Sequence, residues 1–460
     1  MGIIAAAESV WHLSGKMGLE LLRQLNHAAL LVALVLLCVL CAALAWHVIT
    51  FLRLRRSGLA REAALLAHAL PSDADLPDVL VQIPTFNEGS VIARITQAVG
   101  CLDWPREKLH IQVLDDSSDD SAVAAAREAV EALRRRGLDA VLLHRSERVG
   151  FKAAALQAGL RLTGHDYVAV FDADFIPPAD FLRKCVRVLL ADPGLAFAQA
   201  RWDATNGREN ALTRAQQRLM DAYFAILQAP RSWSGHFVVF NGTCTLWRRS
   251  ALDQLGGWQS DIFMEDIDLS YRAFLGGWAG WCLLTVAVPG ELPASPASFQ
   301  RQQYRWNGGL AQAMRKYLPA IWRSPLPVGR KLVASTYLGF SAFGVLLGVA
   351  AVATTLELLL GGGFSPWACA LAAAGSIAFA VSLLALPLSQ RQVRRENPWS
   401  DLPQALLSIL VLVGTQVAVT LSFRHMVGVK GPNWTPTFKR GSPLAAETPE
   451  MPRAPERRGS

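Results

Sequence analysis

Apolar positions along this chain follow two regimes. From Ala28 to Leu52 the run AALLVALVLLCVLCAALAWHVITFL carries no charge over about 25 residues, enough helix to cross a hydrocarbon core of roughly 30 Å. Three more apolar segments follow residue 330, at about 333–360, 367–388 and 403–422; a buried core helix is the alternative for the last two, which contain Pro387 and Pro403. Between these regions short apolar runs alternate with stretches of helical period. VLVQIP, LHIQVLDD, DAVLLH, DYVAVFDAD and LAFAQA predict strands, with helices after Gly89 and over about 121–136, 152–162 and 179–190. Strands separated by helices predict an α/β domain over residues 79–320, built on a mostly parallel sheet covered on both faces. Its last stretch, QQYRWNGGLAQAMRKYLPAIW, has the apolar stripe of an interfacial helix.

Charge orients this arrangement. Arg53, Arg55, Arg56 and Arg61 follow the first apolar run, and Arg315, Lys316, Arg323, Arg330 and Lys331 precede the second. Basic residues favour the cytoplasmic side, so the middle of the chain is expected in the cytoplasm, with residues 1–27 outside and 28–52 as an anchor in the inner or plasma membrane. A cleavable signal peptide is the competing reading of the first run. Its apolar stretch is too long, and the arginines after it form a stop-transfer cluster. Residues 57–78 read as a mostly polar connector, and 441–460 as a disordered tail rich in Pro and charge. Three spans over 333–422 would carry Arg424, Lys430, Lys439 and Arg440 outside, against the same tendency; either one segment is re-entrant or interfacial, or the tendency fails there.

The net charge of +8 sits beside the apolar segments, where it suits anionic lipid headgroups; no nucleic-acid motif accompanies it. Of the seven cysteines, Cys38 and Cys41 lie inside the first run and no second pair stands with them to bind zinc. Structural disulfides are not expected.

Candidate chemistry lies in three acidic clusters and one basic-aromatic motif. Asp172 and Asp174 in VFDADF stand just past a strand, where hard carboxylate oxygens can hold Mg²⁺ or Mn²⁺ against a diphosphate. Asp115 and Asp116 end the preceding acidic strand and are placed to meet a nucleoside, although Asp clusters also form ordinary turns. Glu265, Asp266 and Asp268 open a helix, where acids favour the macrodipole; one of them can equally serve as a general base. Arg305, with Lys152 as a further candidate, supplies positive charge for a leaving diphosphate. Trp306 offers a ring face for a sugar, or else an anchor at the membrane interface.

The order Asp115-Asp116, Asp172-x-Asp174, Glu265-Asp266, Gln302-x-x-Arg305-Trp306 resembles the D, DxD, TED, QxxRW signature of family 2 inverting glycosyltransferases of cellulose-synthase type. QVLDDSSDD, YVAVFDADFIPPADFL, LAFAQARW, FNGTCTLWRRSAL and ELPASPASFQRQQYRW look closest to the cellulose-synthase-like mannan and glucomannan synthases. The resemblance implies a GT-A fold, a nucleotide-diphosphate sugar donor such as GDP-mannose or UDP-glucose, and a divalent metal at Asp172 and Asp174. It further implies Asp266 as base with Glu265 beside it, contacts to donor or acceptor from Gln302, Arg305 and Trp306, and a product that passes into or beside the spans. Met264 stands where the signature has threonine, and Asn241-Gly242-Thr243 is nearer the mannan-synthase form than the cellulose-synthase one. The expected activity is transfer of mannose or glucose to a growing β-linked polysaccharide. The alternatives are glycosylation of a membrane lipid such as diacylglycerol or ceramide, and a catalytically silent partner in export.

Overall fold

The structure is a computed structural model, and it describes residues 2–359, 365–395 and a few between 403 and 414. The segment expected at 403–422 falls largely outside the described residues, and the tail at 441–460 wholly so.

A single helix, α1 (Gly2–Leu66), opens the chain. It runs through the anchor and well into the expected polar connector. The reason is a change of partner: past the arginines, Leu65 and Glu62 are buried on the catalytic sheet, and Gly58 lets the Trp233 ring come so close that a methyl there would meet it at 2.3 Å. The chain then alternates as β1 (Val79–Thr85), α2 (Gly89–Val99), β2 (Leu109–Asp115), α3 (Asp120–Arg135), β3 (Asp139–His144), α4 (Phe151–Arg161), β4 (Tyr167–Val170), α5 (Phe181–Ala191) and β5 (Leu195–Ala204). Next come α6 (Ala211–Ala222), a π-helical segment at Tyr223–Gln228, α7 (Ala229–Trp233), β6 (Thr245–Arg248), α8 (Arg249–Gln254), α9 (Glu265–Leu275) and β7 (Ala279–Gly290). Three long helices follow: α10 (Pro296–Arg323), α11 (Val328–Leu359) and α12 (Pro366–Val393).

The seven strands form one sheet in the order β3-β2-β1-β4-β6-β5-β7. All pairings are parallel except those of β6, which runs antiparallel between β4 and β5. Every residue of β1 is buried because helices cover both faces, which explains why its apolar run is interrupted only by Gln82 before Thr85 closes it. The mixed α/β core thus has the largely parallel sheet that the alternation predicts, and β6 is the departure from it.

Glu20–Leu66 and Pro366–Val393 are long and apolar enough to cross a membrane. Pro387 lies inside α12 without ending it. Both α11 and α12 pack on α1, where Asn26 Nδ2 donates to the Ala353 carbonyl (3.0 Å) and Cys41 Sγ approaches that of Ala374 (3.5 Å). Helix α10 is amphipathic as expected: Leu310, Ala313, Tyr317 and Ile321 are buried in a cluster with Phe237 and Tyr271, which seats it on α9.

Candidate active site

The site begins with two glutamines in the middle of the sheet. Gln82 on β1 donates to Gln112 on β2 (3.0 Å) and to the Leu156 carbonyl (3.1 Å), while Gln112 donates to the Gly159 carbonyl (3.1 Å). Buried amides need such partners, and Gly159 allows them: a methyl at that position would lie 2.3 Å from Gln112 Oε1. Helix α4 is thereby drawn tightly onto the sheet. Its first turn, entered through left-handed Gly150 (φ 74°) and Phe151 (φ 50°), carries Lys152 over the C-terminal ends of β1 and β4.

A second strained segment faces it. Gly242 (φ 79°) and Cys244 (φ 59°) are both left-handed, a conformation that costs a non-glycine residue and survives where its surroundings fix it. Gln199 supplies that fixing, accepting from the Asn241 amide (2.9 Å) and donating to the Thr243 carbonyl (3.0 Å). Thr243 Oγ1 in turn accepts from the Asp172 amide (2.8 Å). A methyl on Gly242 would come within 3.2 Å of Asp266 Oδ2, a tight approach at a left-handed position that favours glycine beside α9.

Lys152 is the hub. Its ammonium donates to Asp172 Oδ1 (2.5 Å) and the Gly242 carbonyl (2.8 Å), and lies 3.3 Å from Glu265 Oε1. Burial alone would weaken this charge, but Asp172 and Glu265 outweigh it and hold Lys152 protonated, above its ordinary range. Asp266 differs. Desolvation, then repulsion from Glu265, pushes its carboxyl up to about 8, while the residue remains half-buried. Asp268, the third acid of the motif, belongs to the fold: it is fully buried and pairs with Arg272 and Lys316, both at 2.6 Å, joining α9 to α10.

Asp115 and Asp116 sit at the same sheet edge but are turned inward. Asp115 is wholly buried, accepting from the Ser117 amide (3.0 Å) and lying 2.9 Å from His144 Nδ1. Asp116 receives a two-pronged contact from Arg145, at 2.7 and 2.6 Å. Arg148, with its guanidinium 3.5 Å over the Phe86 ring, is drawn down to about 10 by burial against the opposing pull of Asp116 and Glu88. His144, Arg145 and Arg148 lie some thirty residues from the acids they serve, and no local motif marks them. Asp174 is buried beside Arg94, which donates to its carbonyl (3.4 Å) and pairs with Glu291 (3.6 Å).

Helix α10 closes the other side. Gln302 and Arg305 are half-buried, and burial lowers Arg305 from its ordinary range against the pull of Glu88, which both Arg148 and Arg305 thus feel. Trp306 is 38 % exposed, with its ring 6.5 Å from that of Trp202 at 47°. Met264, in the threonine position, packs on Gly309 so closely that a methyl on that glycine would sit 2.3 Å from Met264 Cγ. Phe263 N donates to Gln312 Oε1 (2.9 Å) in the same contact, so the loop before Glu265 is docked on the helix bearing Arg305 and Trp306. Trp202 went unforeseen as a site residue; only its place in QARW at the end of a strand signals it.

Among the described residues no group of three or more His, Cys, Asp or Glu gathers as a ready-made metal cage. Asp172 and Asp174 nevertheless fit Mg²⁺ or Mn²⁺, which take one or two carboxylates and complete their shell with phosphate oxygens and water. Lys152 occupies only Oδ1 of Asp172.

A mannosyltransferase from Pyrobaculum calidifontis, solved in complex with GDP-Man and Mn²⁺, shares the fold with a TM-score of 0.53 at 24% identity, covering 83% of this chain and 99% of that one. Glucomannan 4-beta-mannosyltransferase 2 of Arabidopsis thaliana is 39% identical over 254 residues, 55% of this chain and 48% of the plant protein. Glucomannan 4-beta-mannosyltransferase 1 of Oryza sativa subsp. japonica is 40% identical over 251 residues, 54% and 48% respectively. The chain spans about half the length of the curated relatives it matches. Residues 77–309, which contain all the acidic clusters and the Gln302-x-x-Arg305-Trp306 motif, match the profile described as glycosyltransferase like family 2, and the chain belongs to that family.

Proposed function

We propose that this protein is a membrane-embedded inverting glycosyltransferase that moves a mannosyl or glucosyl unit from a nucleotide-diphosphate sugar to the end of a β-linked polysaccharide. The observation that carries this reading is the cluster around Lys152, where Asp266, lifted to about 8, stands on a helix whose entry loop docks on α10, the helix of Arg305 and Trp306. A carboxylate tuned near working pH is suited to take the proton of an acceptor hydroxyl as it attacks the anomeric carbon. Burial sets that tuning, with Glu265 adding to it by repulsion and Lys152 opposing it by attraction. Arg305 and Lys152 offset the negative charge that gathers on the departing diphosphate. Mg²⁺ or Mn²⁺ held by Asp172 and Asp174 supplies further positive charge to the diphosphate when bound.

Asp115, beside His144, and Asp116, paired with Arg145, shape the nucleoside end of the donor site, and Trp306 offers its ring to the acceptor sugar. The plant relatives named as glucomannan mannosyltransferases favour GDP-mannose over UDP-glucose as donor. The catalytic domain lies on the cytoplasmic face, with α1 and α12 crossing the bilayer.

Membranes containing the protein, given labelled GDP-mannose and UDP-glucose in parallel, test the reading. The expected product is insoluble in organic solvent, labelled mainly from GDP-mannose, and released by a β-mannan hydrolase. Label recovered only in the solvent-extracted lipid fraction, or none from either donor, would overturn it.

A further inference from the structure

The pairing of β5 with β7 slips twice, and the larger slip falls where Ala200 faces Leu283 but Arg201 faces Ala287. Leu284, Thr285 and Val286 therefore leave the ladder, and their backbone N–H groups need other partners. Glu62, fully buried on α1, provides two of them, accepting from Leu284 N (3.1 Å), Thr285 N (2.8 Å) and Thr285 Oγ1 (2.5 Å). From the opposite side Arg201 donates to the Leu284 carbonyl (3.3 Å), to the Trp202 carbonyl (3.2 Å) and to Asp221 (3.4 Å). Asp221 is itself held by the far end of α12, through Arg394 Nε (2.9 Å) and Gln390 Nε2 (3.1 Å), and Arg394 also grips Asp203 (2.6 Å). Two long helices, α1 and α12, thus clasp one bulge of the sheet.

What lies just past the bulge gives the clasp its purpose. Trp202, between Arg201 and Asp203, has its carbonyl pinned by the first, while Asp203 Oδ1 accepts from the next amide, Ala204 N (2.7 Å). Its half-buried ring, backed by Phe175 (5.3 Å) and Phe224 (6.0 Å), stands tilted beside Trp306 instead of stacked on it. Two indoles so arranged offer two apolar faces, which is how proteins hold sugar rings.

Building on the transferase reading above, we propose that Trp202 is a second stacking face for the acceptor saccharide, and that Glu62 and Arg394 are positioning residues that set its angle from the two helices. Breaking either clasp is expected to leave donor binding in place, because Lys152 and its carboxylates lie on α4, after β4 and on α9, and Gln199, the β5 residue that reaches them through Thr243, pairs before the larger slip. The acceptor is then misplaced. Displacement of about 1 Å is enough to lose as much as 10²-fold in transfer.

The test uses the full chain in detergent or lipid discs, with Trp202→Leu, Glu62→Gln and Arg394→Lys compared with the parent by size-exclusion profile, donor hydrolysis to free sugar, and transfer to an oligosaccharide acceptor. In all three, hydrolysis and the donor KM are expected to stay within about twofold of the parent, while transfer falls about tenfold with a raised acceptor KM. Hydrolysis and transfer falling in step, or Trp202→Leu transferring like the parent, would overturn the proposal. If Glu62→Gln and Arg394→Lys fail to fold, Trp202→Leu decides the stacking face, and the clasps are then structural only, which overturns their positioning role. A parent inactive with both GDP-mannose and UDP-glucose is a separate result: it removes the transferase reading itself, before any variant is compared.

Discussion

Two clusters of the same residue types behave in opposite ways. Around Lys152, three carboxylates share one ammonium, and burial, joined by repulsion from Glu265, pushes Asp266 up to about 8. Around Arg394, two carboxylates meet two guanidinium groups, and Asp203 and Asp221 are each held by both Arg201 and Arg394. Both clusters are largely buried. The difference is stoichiometry. Burial pushes up both Asp266 and Asp221, but around Arg394 the two guanidinium groups pull against it and hold Asp203 below its ordinary range, whereas around Lys152 the charge of Glu265 adds to it. Neighbouring charges, and not burial alone, separate a candidate catalyst from a joint.

The comparison breaks most visibly at Asp266. Asp266→Asn should cut transfer by about 10² to 10⁴, the range for losing a general base, with the donor KM unchanged in initial-rate titrations. Parent-like turnover in that variant, with loss in Glu265→Gln, would move the base one residue. Chelation comes next: turnover should vanish in excess chelator and return with Mg²⁺ or Mn²⁺, because Asp172 and Asp174, as carboxylates, approach a diphosphate only through a cation between them. Full turnover in chelator would refute the metal site.

Trp306→Ala should lower transfer by roughly tenfold or more through a misplaced acceptor, with donor hydrolysis persisting and Trp306→Phe retaining part of the activity. An unchanged ratio of hydrolysis to transfer would make Trp306 a membrane anchor only. The smallest effect, and the one that sharpens the comparison, is in pH dependence. Below about 8 the base form of Asp266 is the minor one, so kcat/KM should rise by about tenfold per pH unit and level off above. Asp266→Asn should flatten that profile. The same shift acts on stability: the folded state keeps a proton on Asp266 up to about 8, which the unfolded chain releases near 3.8, so stability falls as pH rises across that window. Asp266→Asn removes this penalty, and its Tm should exceed the parent's by a margin that grows from pH 5 to pH 8. Arg394→Lys should leave the midpoint of the kcat/KM profile where it is.

Much of the fold was legible because periodicity reports burial. The alternating strands and helices from VLVQIP to LAFAQA announce a largely parallel sheet, and acids at strand ends announce the edge where ligands bind. The length of α1 was not legible, since the polar residues after Arg56 hide a face, Glu62 and Leu65, whose partners lie in β7 and the core some two hundred residues on. The antiparallel β6 was hidden for a related reason: four residues are too few to show a period. At the site, short motifs named the acids but not what surrounds them. Lys152 reads in sequence as a contact for the diphosphate, while its partners in the fold are Asp172, the Gly242 carbonyl and Glu265, met because a glutamine pair and a glycine that no motif records seat α4 on the sheet.

The unbroken helix α1 has a mechanical meaning. Glu20–Leu66, at 1.5 Å per residue, is a rod of about 70 Å. A bilayer core of roughly 30 Å can cover less than half of it. With no proline or kink to absorb strain, its buried lower end and its membrane end must lean together. Glu62 ties the far end of that rod to β7, so a tilt of α1 would load the same bulge that Arg201 holds from the other strand.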